Sequence, residues 1–255
     1  MMYCDHWNLL FIVLPKCGTG AGKRFFNDLP GTNCYAPKGS DKYSDHRFCA
    51  AGKEYNTKHF KGRSIGHATA KELCEFFGRE VFSTMNTVAI IRNPYSRLVS
   101  SYFFYRRIHL RKYTSEAVKR ISKLPLTARP SVVVQNFLTI IACGFTKVVP
   151  LWLYVIFYPY KGMKSYISDV NGTRIVKHIA RLESVDDDLT RIMQRMGVTI
   201  NRTAKLPIVN PTGYDKNKSY TPESWIVKQI VSLKLRDDLQ LWYEVNAEFE
   251  EETIP

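Results

Sequence analysis

Residues 9–14, Leu-Leu-Phe-Ile-Val-Leu, form a short unbroken apolar run bounded by Pro15 and a glycine cluster. A run of that length with β-branched members predicts a strand buried on both faces, as in a parallel sheet. Gly18 to Gly22 then reads as a tight loop, and Lys23 to Leu29 carries Phe25, Phe26 and Leu29 at helical spacing before Pro30 and Gly31 stop the helix. The order is strand, glycine loop, helix. From Gly31 to Arg63 the chain is polar and turn-rich with no sustained period, which predicts long surface loops.

Periodicity resumes at Ala68 to Gly78, a predicted helix with Leu73, Phe76 and Phe77 inward, and Thr87 to Ile91 reads as a second buried strand. Asn93 suits an N-cap and Pro94 the first helical position of the next helix. Its apolar positions Tyr95, Leu98, Val99, Tyr102 and Phe103 are expected to pack against the sheet. Ser131 to Tyr160 is the most apolar stretch, but Gln135, Asn136, Lys147 and Pro150 interrupt it before about 18 clean residues accumulate, so it reads as buried core helices and not as a membrane span. Ser184, with Asp187 three residues on, predicts a helix start, and Gly197 its end. Thr221 and Pro222 open a last helical stretch to about Glu248. With no internal repeat, strands alternating with helices predict one α/β domain over residues 1–255, three layers (α/β/α) around a mainly parallel central sheet.

Composition sharpens this only in part. A chain of 255 residues, 45% of them hydrophobic, can bury a full core without metal or disulfide staples. Lys and Arg outnumber Asp and Glu by 37 to 23, a net charge of +14 that attracts polyanions: nucleic acid, anionic membrane, nucleotide or acidic glycan. A solvated basic surface accounts for the charge equally well. The six cysteines show neither CxxC spacing nor histidines at ligand spacing, so no metal site is expected. The even count permits disulfides without requiring them; Cys34 and Cys49, which bracket a loop rich in Gly, Pro, Ser and Asp, are the one candidate pair, and their pairing would imply an oxidising compartment. The first residues lack the pattern of a signal peptide or membrane anchor. Sequons stand at Asn171, Asn201 and Asn217.

The segment Lys16-Cys17-Gly18-Thr19-Gly20-Ala21-Gly22-Lys23, between strand and helix, has the physical form of a phosphate cradle. Small residues let backbone N–H groups close around an anion, the helix start adds roughly half a positive charge, and Lys16 and Lys23 add full ones. A glycine turn packed under a sheet is the plain alternative. Against the nucleoside-triphosphate template GxxxxGK[ST], Cys17 replaces the first glycine and Arg24 the magnesium-binding hydroxyl. The second strand ends in Arg92, where a metal-binding carboxylate would be needed. A cation there attracts a second phosphate instead, and Ser96 and Ser100 follow Asn93 along the next helix.

FIVLPKCGTGAGKRFF resembles the 5′-phosphosulfate-binding loop of sulfotransferases, and VAIIRNPYSRLVSSYFF resembles their 3′-phosphate-binding segment, most of all in the Golgi carbohydrate sulfotransferases. Weaker similarity runs through Lys177 to Glu183, Asp186 to Asp188, Pro207 to Asn210 and Tyr220 to Trp242. Gly20 departs from the family, which usually has a hydroxyl residue there. The resemblance implies a P-loop-like sulfotransferase fold and sulfuryl transfer from 3′-phosphoadenosine 5′-phosphosulfate (PAPS) to a carbohydrate hydroxyl, releasing PAP without a metal. It places Lys16 at the phosphosulfate and its bridging oxygen, the backbone of Cys17 to Gly22 and the Thr19 hydroxyl on the 5′ side, and Arg92 and Ser100 at the 3′-phosphate. It also implies the Golgi lumen, and a carbohydrate partner such as an anionic glycan rather than nucleic acid. Oligomeric state is not legible.

A base is needed to take the acceptor's proton, and imidazole is matched to that task near neutral pH. Of six histidines, His67 is the expected base: Ser64-Ile65-Gly66-His67 lies between the two nucleotide motifs and resembles the Gly-His placement of the catalytic histidine in uronyl 2-O-sulfotransferases. His59 and the carboxylate of Glu54 are the fallbacks, and a structural hydrogen bond is the plain alternative for His67. An ATP-dependent kinase and a non-catalytic polyanion binder are the competing functional classes.

Overall fold

The computed structural model describes residues 1–4, 6–27, 34–35, 67–107, 129–157, 161–198 and 225–251, with a few isolated positions. The apolar run after Asn8 forms strand β2 (Leu9–Ile12), preceded by the short strand β1 (Met2–Cys4) and followed by helix α1 (Thr19–Asn27). A two-residue strand β3 (Cys34–Tyr35) lies within the stretch expected to be loop. Helices α2 (Ala70–Phe77) and α3 (Arg79–Thr84) lead into β4 (Asn86–Ile91) and α4 (Pro94–Arg107). Next come α5 (Arg129–Val148), α6 (Leu151–Phe157), α7 (Lys164–Ile167), β5 (His178–Arg181) and α8 (Val185–Arg195). Helices α9 (Trp225–Lys234) and α10 (Arg236–Glu251) close the described chain.

The five strands are ordered β3-β1-β2-β4-β5. β2, β4 and β5 are parallel, and β1 and β3 extend the β2 edge antiparallel. Alternation along the strands feeds two cores. Leu10, Ile12, Ala89, Ile91 and Ile179 pack with residues of α2, α3, α7 and α10, while Leu9, Phe11, Val88, Ile90 and Ala180 pack with α1 and α8. Helices thus cover both faces, the predicted three-layer α/β arrangement. In register, Ile12 pairs with Ala89 and Ile91 with Arg181, so the segments leaving β2, β4 and β5 emerge along one edge. Ligands of open α/β sheets bind at such an edge.

Several expectations are corrected. Leu98 and Tyr102 of α4 pack not in the two sheet cores but with Tyr154 and Val155 of α6 and Val231 and Leu235, a third core among the helices. The stretch 131–160 forms helices, but it is not wholly core, because Val134, Phe137 and Phe157 are more than half exposed. Among the described residues no helix is long and apolar enough to cross a membrane. The last helical stretch is two helices, separated at Leu235; its expected start at Thr221 lies outside the described residues. Ser184 makes no side-chain cap bond, whereas Gly197 ends α8 as expected, at φ +74 with the Gly197 and Val198 N–H groups on the carbonyls of Gln194 and Met193.

Cys4 is disulfide-bonded, while Cys17, Cys74 and Cys143 are free. Across β1 and β3 its register neighbour is Cys34. The candidate pair Cys34 and Cys49 cannot be followed further, because Cys49 lies outside the described residues. The sequons at Asn201 and Asn217, the segment Pro207 to Asn210, and both Glu54 and His59 lie outside the described residues.

Candidate functional site

The glycine segment turns sharply off β2. Lys16 takes φ +67 and Gly18 φ +75, a left-handed conformation that is unusual for a lysine and ordinary for glycine. Gly18 has a second reason to lack a side chain, since a Cβ there would collide with Leu182 Cδ1. At Gly22 a Cβ would stand 2.5 Å from Phe11 Cζ and 2.8 Å from Ile90 Cδ1, so this glycine lets α1 lie directly on β2 and β4. α1 starts at Thr19, within the expected loop, and the first intrahelical bond runs from Gly22 N to Gly18 O at 3.0 Å. The N–H groups of Thr19, Gly20 and Ala21 fall in the first turn, where a helix offers no acceptor of its own. An anion is the natural occupant of such a turn. The Thr19 hydroxyl donates to Leu14 O at 3.4 Å. Cys17 is buried with its Sγ 3.6 Å from Pro15 O and 3.7 Å from Met163 Sδ, and burial pushes its thiol up to about 11, so it offers the site its backbone and not a thiolate.

Arg92, just past β4, donates from Nη1 to Lys16 O at 3.4 Å. The Lys16 ammonium lies 4.1 Å from the ring centre of Phe104, on α4. Partial burial lowers its pKa to about 8, with the Arg92 and Arg107 charges adding to the effect. Lys16 and Arg92 thus meet just ahead of α1, at the ends of neighbouring parallel strands, and the charge of Arg107 is felt at Lys16. Lys23 does not join them through any observed contact; it is half-buried, burial lowers its pKa, and its charge acts on His67.

The start of α4 is built as its sequence predicts. The Asn93 side-chain oxygen accepts from Tyr95 N at 3.1 Å and Ser96 N at 3.2 Å, and Glu183 Oε1 accepts from Asn93 N at 3.0 Å. Desolvation raises the Glu183 pKa, an effect opposed by the Asn93 N–H and by the charges of Arg92 and Arg181. Ser100 is buried two turns further along.

His67 lies just before α2, whose start is fixed by a capping box: Glu72 N donates to Thr69 Oγ1 at 3.2 Å and Thr69 N to Glu72 Oε2 at 2.8 Å. His67 Nδ1 is 3.3 Å from Val13 O, on the segment joining β2 to the glycine turn. A carbonyl only accepts, so Nδ1 carries the proton and Nε2 is left with its lone pair in the neutral ring. Desolvation lowers the His67 pKa, outweighing the Val13 bond, and this favours the neutral form at physiological pH.

Other residues of the site carried no assigned role in the sequence. Phe104 and Arg107 are further along the helix that begins at Asn93, so their helical phase could have pointed to them. Arg97 belongs to the second motif but is buried, with Nε donating to Pro15 O at 3.1 Å and Nη1 3.6 Å from Asp238 Oδ2. Nothing near Asp238 in sequence marks it.

A family model described as the sulfotransferase family matches residues 1–145. No curated protein and no solved structure matches the chain.

Proposed function

The chain belongs to the sulfotransferase family, and from that premise we propose that it transfers the sulfuryl group of PAPS to a carbohydrate hydroxyl, without a metal and with His67 as general base. The observation that carries this reading is the meeting of Lys16 and Arg92, two cations at the ends of β2 and β4, beside the first turn of α1. Lys16, the N–H groups of Gly18 to Ala21 and the Thr19 hydroxyl, turned from Leu14 O to the anion, would hold the 5′-phosphosulfate, with Lys23 contributing positive charge from one turn in. Arg92 and Ser100 would hold the 3′-phosphate. An ATP-dependent phosphotransferase would need a carboxylate for magnesium where Arg92 stands.

In the reaction the acceptor oxygen bonds to sulfur as the bond from sulfur to the bridging oxygen breaks, and PAP leaves with that electron pair. The acceptor proton goes to His67 Nε2, the nitrogen left free by the bond of Nδ1 to Val13 O. Lys16 neutralises charge on the departing oxygen. The net charge of +14 suits an anionic glycan as acceptor. The disulfide at Cys4 suits an oxidising lumen such as the Golgi. The test is transfer of radiolabelled sulfate from PAPS across a panel of glycans, with tyrosine peptides and small phenols beside them. Label on glycans supports the reading; label confined to peptides or phenols refutes the carbohydrate acceptor, and label on none refutes the transferase.

A further inference from the structure

Lys16 sits in a left-handed backbone conformation that a lysine adopts only when its surroundings hold it there. Both carbonyls around it are held by arginines of the second motif. Arg97 Nε donates to Pro15 O at 3.1 Å, and Arg92 Nη1 donates to Lys16 O at 3.4 Å. Arg92 faces the candidate anion site, whereas Arg97 is buried and faces inward. Its Nη1 donates to Lys161 O at 3.0 Å and stands 3.6 Å from Asp238 Oδ2. Asp238 is itself buried, in the first turn of α10, where it accepts from Met163 N at 2.8 Å and Lys164 N at 3.0 Å. Gly162 passes so close that a Cβ would lie 2.9 Å from Asp238 Oδ1.

A buried ion pair contributes little to stability relative to apolar residues of the same size, so its stability alone does not account for it. What the pair does here is geometric. It ties the main chain just ahead of Lys16 to α10, across more than two hundred residues of sequence and beyond residues 1–145 that the family model covers. We infer that Arg97 and Asp238 are positioning residues for the phosphosulfate loop, setting the Pro15–Lys16 backbone so that the 5′ side of the nucleotide meets its donors. The inference rests on the reading of this site as a PAPS site.

The test uses two ligands that separate the halves of the site. PAP engages both the glycine loop and Arg92, while adenosine 3′-monophosphate lacks the 5′-phosphate. Calorimetric titration of PAP, with the monophosphate measured by competition, is carried out on the full chain and on Arg97→Lys and Asp238→Asn. A loss of roughly tenfold or more for PAP is expected, with the monophosphate unchanged within about twofold. Gly162→Ala, which crowds Asp238 without removing a polar group, should lose PAP affinity in the same selective way. Equal losses for both ligands overturn the inference, as does unchanged PAP affinity in variants with native near-ultraviolet circular dichroism. If all three variants lose that signal, the pair serves general stability and the positioning role falls. A wild-type chain that binds neither nucleotide refutes the PAPS reading itself.

Discussion

Arg92 Nη1 reaches the main-chain carbonyl of Lys16 across 3.4 Å, so the residue that follows β4 is joined to the one that turns the chain off β2. The two cations are held near each other by covalent and hydrogen-bonded structure although their charges repel. Such an arrangement is stabilised when an anion enters between them.

Replacing Arg92 by alanine should therefore weaken PAP binding by about 2 to 4 kcal/mol, since a phosphate loses a charge-assisted partner. Ser100→Ala should cost about 1 kcal/mol, the worth of one hydroxyl contact. Calorimetric titration with PAP measures both, and an Arg92→Ala chain with wild-type affinity would remove the 3′-phosphate from this position.

Gly22→Ala tests the packing under the loop. Its Cβ would stand 2.5 Å from Phe11 Cζ and 2.8 Å from Ile90 Cδ1, both on strands and both buried. Overpacking of this kind costs about 1 to 3 kcal/mol, and relief requires lifting the first turn of α1 off the sheet. Denaturant unfolding should show the loss of stability, and PAP affinity should fall with it. A stability equal to wild type would mean that α1 is not seated as described.

How much of this was legible in the sequence depended on the range of the determining contacts. β2 and β4 were readable because a strand buried on both faces must be apolar throughout, and the Asn93–Pro94 helix start because capping is local. β1 and β3 are too short to show a period; β1 exists through its register with β2, at Met2 to Phe11, and β3 through its register with β1, at Tyr3 to Tyr35. The face of α4 was recognised as apolar, but periodicity cannot say whether a sheet or other helices will cover it. Lys23 looked like a loop cation because it follows Gly22, yet α1 begins at Thr19 and carries it a turn into the helix. Arg97 and Asp238 were illegible for a further reason: each is a charged residue whose burial is explained only by a partner far away in the chain.

Lys16→Ala should lower turnover more than it lowers PAP affinity, because the charge that Lys16 neutralises grows as the bridging oxygen departs. The comparison is between the turnover number and the dissociation constant for PAP. Equal losses in both would assign Lys16 to binding alone.

The pH dependence of kcat/KM joins the two catalytic residues in one measurement. His67 must be neutral to accept a proton, and desolvation places its pKa below the ordinary histidine value. The rate should therefore climb with pH on an acid limb whose midpoint lies below about 6.5. Lys16 must be charged, and its pKa is lowered to about 8. The rate should then fall again as pH passes that value, giving a bell. For kcat the alkaline limb should move upward, since a bound phosphosulfate favours the ammonium form. His67→Ala should cut turnover by about 10² to 10⁴, leave PAP binding nearly intact and abolish the acid limb while retaining the alkaline one. Near-normal turnover in that variant, with the acid limb still present, would leave His67 only its hydrogen bond to Val13 and pass the role of base to His59 or Glu54.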